Sequence, residues 1–211
     1  LDQLQNSNKF MNSDDLMFPL GVENEEENDD DTDTTNSINQ ESLSDYAPTS
    51  TNTAGTFRLD DGTQIIGAIK GKDYIIVLTD TASYVVQFVG PPFTFSILKV
   101  GSNNGMIGQH AGIFANGAVY WMGDAGGFFV YDGTVKLLPS LVEDFVFQTD
   151  GDNLGINFAS NQIVFASHNS LYNEIVWFYP KGTPLLSPSN QIDRSVSYNY
   201  VENTWSTMSL A

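Results

Sequence analysis

The sequence predicts an all-β fold built from β-propeller blades, each a sheet of four antiparallel strands. From Gln64 onward, short runs rich in Val, Ile, Phe, Tyr and Trp alternate with turn dipeptides, and these residue types pack well on a pleated surface. The runs form groups of four that begin near residues 64, 112 and 162. Four short strands recurring about every 50 residues are typical of propeller blades.

Three blades follow from this pattern. The first, at about 64–98, contains QIIGAI, YIIVLT, ASYVVQFV and TFSIL. The second, at about 112–138, contains GIFA, AVYWM, FFVY and TVKLL, and the third, at about 162–208, contains QIVFAS, EIVWFY, RSVSYNY and NTWSTM. Runs such as YIIVL and IVWFY do not alternate cleanly, which predicts sheets covered on both faces.

Between the runs lie residues suited to tight hairpins. Asn116-Gly117, Asp132-Gly133 and Glu202-Asn203 separate successive strands, and Gly, Asn and Asp tolerate the positive φ that such turns require. One segment breaks the β pattern: SLVEDFVFQ, at 140–148, predicts a helix with Leu141, Val142, Phe145 and Val146 on one face.

Three blades cannot close a ring, because propellers have about four blades or more. Unclosed blades leave apolar faces and strand edges exposed. We therefore expect these blades to be part of a larger propeller, with another chain covering the faces as the alternative.

Two segments precede the blades, which occupy 57–211. Residues 1–21, with the apolar cluster LMFPL, predict a short docking segment or the edge of a preceding blade. Residues 22–56 are acidic and rich in Ser, Thr and Asn, and such a segment cannot bury enough apolar surface to offset its ordering entropy. We interpret it as a disordered-type acidic loop or insertion.

Charge is unevenly distributed along the chain. Residues 1–50 hold 13 acidic residues and one Lys, a net charge of −12, whereas residues 51–211 hold 13 acidic and seven basic residues, a net charge of −6. This balance argues against wrapping nucleic acid, since that binding depends on Lys and Arg at the phosphates. The chain has no cysteine, and no apolar run approaches the roughly 20 residues of a membrane helix. We expect no membrane insertion.

The residue patterns of known catalytic sites are missing. The two histidines, His110 and His168, stand in turn-like settings, GQHAG and ASHNS, and no nucleophile elbow, phosphate loop or zinc-protease motif occurs. Carboxylates for glycoside hydrolysis would have to come from residues that mostly fit turns. They are Asp73, Asp80, Asp124, Asp132, Glu143, Asp144 and Glu174.

The acidic loop raises the question of calcium. Asp29, Asp31 and Asp33 alternate as calcium-loop ligands do, but the Gly that such a loop requires at its sixth position is missing and Gln40 replaces the Glu at its twelfth. We expect no metal, cofactor or catalytic residue. The acidic side chains are instead candidates for contact with a partner or with the lumen of an assembly. They are Glu23, Glu25, Glu26, Glu27, Asp29, Asp30, Asp31 and Asp33.

The window from Phe57 to Phe147 resembles the propeller of podovirus tail nozzle proteins, including the packaged-DNA stabilisation proteins. The resemblance consists of an ordered set: I-x-A-I followed by Y-I-I-V-L-T-D, then S-Y-V-V-Q-F and P-F-T-F-S. A turn through Gly105 and Gly108 follows, and then A-V-Y-W-M-G and G-G-F-F-V-Y-D-G.

This resemblance implies a structural virion protein in the tail of a short-tailed bacteriophage, without enzymatic activity. It implies a homo-oligomer, expected to be a hexamer, that forms part of the DNA conduit beneath the portal and adaptor proteins. The propellers of such a family hold tail fibres or spikes, and double-stranded DNA passes without sequence-specific binding.

Two alternatives remain. RSVSYNYVENTWSTMSL has the Tyr and Trp spacing of a kelch repeat, and Gly126-Gly127 supplies a double glycine in a different blade. This favours a kelch-type or other protein-binding propeller as the second interpretation. A propeller glycosidase, using carboxylates at blade ends, is the third.

Overall fold

The computed structural model describes residues 16–18, 55–90, 94–150, 153–182 and 191–210. The chain divides into two compact units, Leu1–Asp60 and Asp61–Ala211. In the first unit, strand β1 (Leu16–Phe18) pairs antiparallel with β2 (Gly55–Phe57). Most of the predicted docking segment, and the acidic loop up to residue 54, lie outside the described residues.

The second unit contains three separate four-stranded sheets, each an antiparallel meander in chain order. Blade one comprises β3 (Ile65–Lys70), β4 (Ile75–Thr79), β5 (Ala82–Phe88) and β6 (Phe95–Ser102). Blade two comprises β7 (Gly112–Ala115), β8 (Ala118–Met122), β9 (Phe128–Tyr131) and β10 (Val135–Leu137). Blade three comprises β11 (Phe165–Asn169), β12 (Glu174–Tyr179), β13 (Arg194–Asn199) and β14 (Thr204–Ser209). The prediction of an all-β fold with four-stranded, blade-like sheets is confirmed.

The turns at Asn116-Gly117 and Glu202-Asn203 use residues that the sequence indicated, and a further turn contains Asn173. Asn116 and Gly117 join β7 to β8 with φ values of 49° and 82°, the pair of positive angles that a two-residue hairpin needs. Asn173 and Asn203 have φ values of 58° and 55° in the turns that precede β12 and β14. These turns fix the register of the strands on both sides.

The first strands of the three blades lie beside one another. Strand β7 adjoins both β3 and β11, and the amide of Ala166 donates to the carbonyl of His110 at 2.8 Å. The sheets therefore follow one another around β7 in an open series that the described residues do not close.

Strand β8 of the middle blade is buried on both faces, which explains its unbroken apolar run. Tyr120 packs toward blade three, with its ring 6.4 Å from that of Tyr198 and 6.3 Å from that of Tyr200. The next residue, Trp121, faces blade one and donates its indole N–H to the carbonyl of Asn104 at 2.8 Å. Every residue of β8 is buried, because successive side chains of a strand point to opposite faces.

Blade three differs from the prediction of two apolar faces. Ile175, Trp177 and Tyr179 are fully buried, whereas the intervening Val176 and Phe178 are only half-buried. The far face carries Ser167, Ser197 and Ser206 in neighbouring register positions. This sheet therefore alternates between a core face and a partly solvated face.

A short helix, α1 (Glu143–Phe147), and a 3-10 helix (Phe158–Ile163) lie between blades two and three. The predicted apolar face of the first helix is wrong. Val146 and Phe147 are buried, but Leu141 is fully exposed and Phe145 is 37% exposed, because the helix lasts little more than one turn and cannot present a continuous stripe. No helix within the described ranges has the length and apolarity to cross a membrane.

Candidate functional site

The acidic residues that the sequence predicted to contact a partner or a lumen lie outside the described residues. They are Glu23, Glu25, Glu26, Glu27, Asp29, Asp30, Asp31 and Asp33. The candidate side chains that the structure does describe lie mainly in the turns and connections of the three blades.

The carboxylates considered for glycoside hydrolysis are divided between opposite ends of the sheets. Antiparallel strands reverse direction, so Asp80, after β4, and Asp124, after β8, belong to one end. Asp73, before β4, and Asp132, after β9, belong to the other end, where the rings of Tyr74 and Tyr131 are 5.2 Å apart.

Three other carboxylates complete this set. Glu174 begins β12, and Glu143 and Asp144 form the first turn of α1. No group of three or more His, Asp or Glu side chains placed to hold a metal ion occurs within the described ranges. The structure therefore brings together only part of the set, at the end that contains Asp80 and Asp124.

Asp80 holds the segment before β3 against the β4–β5 turn. Its Oδ1 accepts the Thr63 amide at 2.8 Å and its Oδ2 accepts the Thr63 hydroxyl at 2.6 Å. Burial opposes ionisation of this carboxyl, but the hydrogen bonds from Thr63 and Gln64 outweigh it and lower its pKa. Both oxygens are thus already engaged in holding the backbone.

Asp124 experiences the opposite shift. Desolvation by the surrounding protein raises its pKa, and the charge of Asp80 raises it further. Two neighbouring carboxyls with pKa values moved apart are a known arrangement for acid–base chemistry. The Asp124 side chain, however, is exposed. Its main-chain amide donates to the Gly105 carbonyl at 3.0 Å, and this bond fixes the β8–β9 turn to the connection after blade one.

Asp132 has an exposed partner. Lys136 Nζ lies 2.6 Å from Asp132 Oδ2 across the β9–β10 turn. This hydrogen bond is the main reason that the pKa of Asp132 is lowered. The pair closes the turn, and its exposure means that it adds little to stability.

The two histidines have structural contacts. His110 supplies the carbonyl that links the start of blade two to β11. His168 Nε2 lies 3.2 Å from the Tyr200 hydroxyl, which in turn donates to Asn173 Oδ1 at 3.2 Å. These contacts tie β11 to the turns at one end of blade three.

The turns of blade three present an exposed apolar group. The amide of Tyr200 donates to the Asn173 carbonyl at 3.0 Å, joining the β11–β12 turn to the β13–β14 turn. On these turns Leu171 is 78%, Tyr172 62% and Val201 61% exposed. Apolar side chains grouped on rigid turns are suited to contact with another protein.

The kelch-like residues are divided between blades two and three, as the sequence indicated. Tyr198 and Trp205 are directly opposite in β13 and β14, with ring centroids 4.7 Å apart. Gly126 and Gly127 lie in the β8–β9 turn of another blade, with φ values of 98° and 83°. Tyr198 and Trp205 belong to the core between blades two and three.

Comparison with known proteins identifies no family for this chain. No protein-family model and no curated protein matches the chain.

Proposed function

We propose that this protein is a structural component of the virion of a short-tailed bacteriophage, a subunit of the tail nozzle. It would contribute to the wall of the DNA conduit and to the platform for tail fibres or spikes. The proposal rests on the ordered sequence resemblance over residues 57–147.

The single observation that carries it is the coincidence of that ordered set with successive strands. I-x-A-I lies in β3, Y-I-I-V-L-T-D in β4 and its turn, and S-Y-V-V-Q-F in β5. A-V-Y-W-M-G and G-G-F-F-V-Y-D-G then form the middle hairpin of blade two. The set therefore follows the order of strands in two consecutive blades.

The two glycines within this set also have a structural reason. A side chain at Gly105 would collide with the Asp80 carbonyl, and one at Gly108 would collide with the Asn161 carbonyl. They allow the connection between blades one and two to pass close to neighbouring backbone. The resemblance thus includes residues on which the packing of the blades depends.

The mechanism would be mechanical. Rigid, interlocked blades form a wall, and contacts between copies close a ring around the channel. Net negative charge keeps DNA from adhering where it passes. The exposed group formed by Leu171, Tyr172 and Val201 provides a contact surface for a neighbouring subunit or a fibre protein.

The test is the assembly state of the full reading frame, purified and measured by native mass spectrometry and negative-stain electron microscopy. We expect a ring of about six copies with a central channel, as a closed cyclic oligomer requires. A protein that stays monomeric over the whole accessible concentration range would contradict the proposal.

Two variants refine this test. Leu171→Ser combined with Val201→Ser should weaken the assembly without unfolding the chain, because both side chains are exposed. Leu141→Ser, at a fully exposed position in another connection, is the matched control. A ring unaffected by the double change would place the subunit contact elsewhere.

A protein-binding propeller of the kelch kind is the second candidate, favoured by the Tyr198 and Trp205 pair. It predicts a monomer that captures a protein partner and does not form a ring. The same mass measurement distinguishes the two functions.

A further inference from the structure

The last strand of each blade is an edge strand. In the described part of the chain, β6, β10 and β14 each pair with one strand only. An unpaired edge presents main-chain N–H and C=O groups to which another extended chain can add. Proteins usually block such edges with charged side chains, bulges or very short strands. The protection of each edge therefore indicates which of them another chain can use.

Two of the three edges carry such protection. In β6, a shift in the pairing with β5 leaves Val100 as a bulge, and the charged Lys99 lies next to it. A bulge bends an edge strand and interrupts its row of hydrogen-bonding groups. Strand β10 is only three residues long, and Lys136 is its central residue. Neither strand offers a regular edge to a partner.

Strand β14 has none of these features. Its six residues, TWSTMS, contain no charge and no proline. They pair with β13 without any shift in register. Trp205 is half-buried, and the other five residues are exposed. Of the three outer edges, β14 is therefore the one that is long, regular and unprotected.

The hydrogen bonds of β14 show which of its main-chain groups face outward. The Leu210 amide donates to the Asp193 carbonyl at 2.7 Å, and this pair continues the register of β13 and β14. Antiparallel pairs alternate between bonded and non-bonded, so Leu210 and every second residue before it direct their amides and carbonyls toward β13. The main-chain groups of Trp205, Thr207 and Ser209 are directed to the open edge. Within the described ranges, these outward groups make no hydrogen bond.

The surroundings of this edge restrict the chemistry of a partner. Glu202 is exposed in the turn that leads into β14, and neither that turn nor the strand contains Lys or Arg. The whole chain has a net charge of −18, which attracts a basic segment and repels a second copy. On the face away from the core, the Met208 side chain is 62% exposed and offers an apolar contact. These features favour an extended segment that is basic and carries an apolar residue.

We propose that β14 accepts an extended, basic segment of another protein as a fifth strand of blade three. The main chain of that segment bonds to the outward groups of Trp205, Thr207 and Ser209. An apolar side chain of the segment lies on Met208, and its positive charges interact with Glu202. The inference rests on the edge alone, so it is independent of the proposed function.

The experiment uses a synthetic peptide, KTKVKTK, added to the purified full chain labelled with nitrogen-15. Amide hydrogen exchange is followed residue by residue at constant ionic strength. The outward amides of Trp205, Thr207 and Ser209 should exchange about 10-fold more slowly at a peptide concentration about ten times its Kd, because only the free protein exposes them. The amides of Ser206 and Met208 already bond to β13 and should change little.

Two N-methylated versions of the peptide separate strand addition from simple charge attraction. One is methylated at the Lys amides and the other at the Thr and Val amides, so both keep the charge of the parent. An added strand uses only every second amide. One version should therefore bind at least about 10-fold more weakly, from the loss of several hydrogen bonds, and the other should bind nearly as well as the parent. The acidic counterpart ETEVETE should bind at least about 10-fold more weakly than the parent.

Thr207→Pro tests the edge from the side of the protein. It removes one outward N–H and no bond to β13, the position at which an edge strand tolerates proline. It should weaken peptide binding about 2- to 10-fold, the effect of one hydrogen bond. Thr207→Val, which keeps the N–H, is the matched control and should leave binding unchanged. Thermal unfolding checks that both variants are folded, and the methylated peptides provide the decisive comparison if Thr207→Pro is not.

Three outcomes would overturn the proposal. The first is equal binding of the two methylated peptides, because charge alone would then explain the attraction. The second is an unchanged exchange rate of the Thr207 amide at saturating peptide. The third is a dimer of the chain that Thr207→Pro dissociates and Thr207→Val does not, since the edge would then belong to a second copy.

Discussion

Trp177 of blade three donates its indole N–H to the main-chain carbonyl of Ala111, at the entry to blade two, at 3.0 Å. Trp177 is completely buried, and its ring lies 4.9 Å from that of Phe128. One side chain thus joins the two blades both by a hydrogen bond and by aromatic packing.

Trp177→Phe should therefore lower the free energy of unfolding by about 2 kcal/mol, from one lost hydrogen bond and the lost packing of the larger ring. Trp205→Phe is the control. Trp205 also donates to a carbonyl, that of Pro139 at 3.0 Å, but it is only half-buried, so we expect a loss of about 1 kcal/mol or less. Urea unfolding measures both, and an equal loss for the two variants would contradict the ranking.

Gly105 is a second position where the blades depend on close approach. Gly105→Ala forces a methyl group against the Asp80 carbonyl and the Thr81 amide, which should cost about 1–3 kcal/mol of overpacking. Gly117→Asn is the matched control, since a Cβ at Gly117 meets nothing within 4 Å and Asn tolerates positive φ. Thermal unfolding should show a clear drop only for the first variant.

Tyr74→Phe should leave stability unchanged or raise it by up to about 1 kcal/mol. The Tyr74 hydroxyl is buried without a hydrogen bond, so folding removes it from water without compensation. The ring packs edge-on against Tyr131 at 5.2 Å, and phenylalanine keeps that contact. A measurable loss in denaturant unfolding would mean that the hydroxyl has a partner, such as a bound water.

Asp80 and Asp124 should respond to pH with opposite signs. The folded pKa of Asp80 is lowered from 3.8, so its ionisation stabilises the fold above that pH, and the contribution is lost as pH falls through the folded pKa. The folded pKa of Asp124 is raised from 3.8, so its ionisation destabilises the fold as pH rises above 3.8.

At pH 7, Asp80→Asn should be less stable than the wild type and Asp124→Asn slightly more stable. Each difference should be under about 1 kcal/mol, because solvent screens both groups. The Asp124 difference should already be lost when the pH has fallen to about 3.8, whereas the Asp80 difference should diminish as the pH falls below 3.8 through its lowered folded pKa. Unfolding curves between pH 3 and pH 8 provide the measurement, and effects of the same sign would contradict the assignment.

The strands of this fold are predictable because their signals are local. AVYWM between Asn116-Gly117 and the glycine-rich turn contains both the residue types of a buried strand and the turns that end it. The strands that these signals mark lie at Ile65–Lys70 to Phe95–Ser102, Gly112–Ala115 to Val135–Leu137 and Phe165–Asn169 to Thr204–Ser209.

Features that depend on distant residues were not predictable. The half-solvated face of blade three follows from which of its two sides meets blade two, and IVWFY alone does not reveal this. Arg194 contacts Asn153 and Leu154, about 40 residues earlier in the chain. In the sequence it is one basic residue at the start of a strand, and these contacts are visible only in three dimensions.

Strand β8 of blade two has no solvated side. Tyr120 packs toward blade three and Trp121 toward blade one. Strand β8 can therefore unfold only together with an adjoining sheet. Local opening of this molecule should therefore begin in blades one and three, and the amides of β8 should be the last to exchange their hydrogens with the solvent.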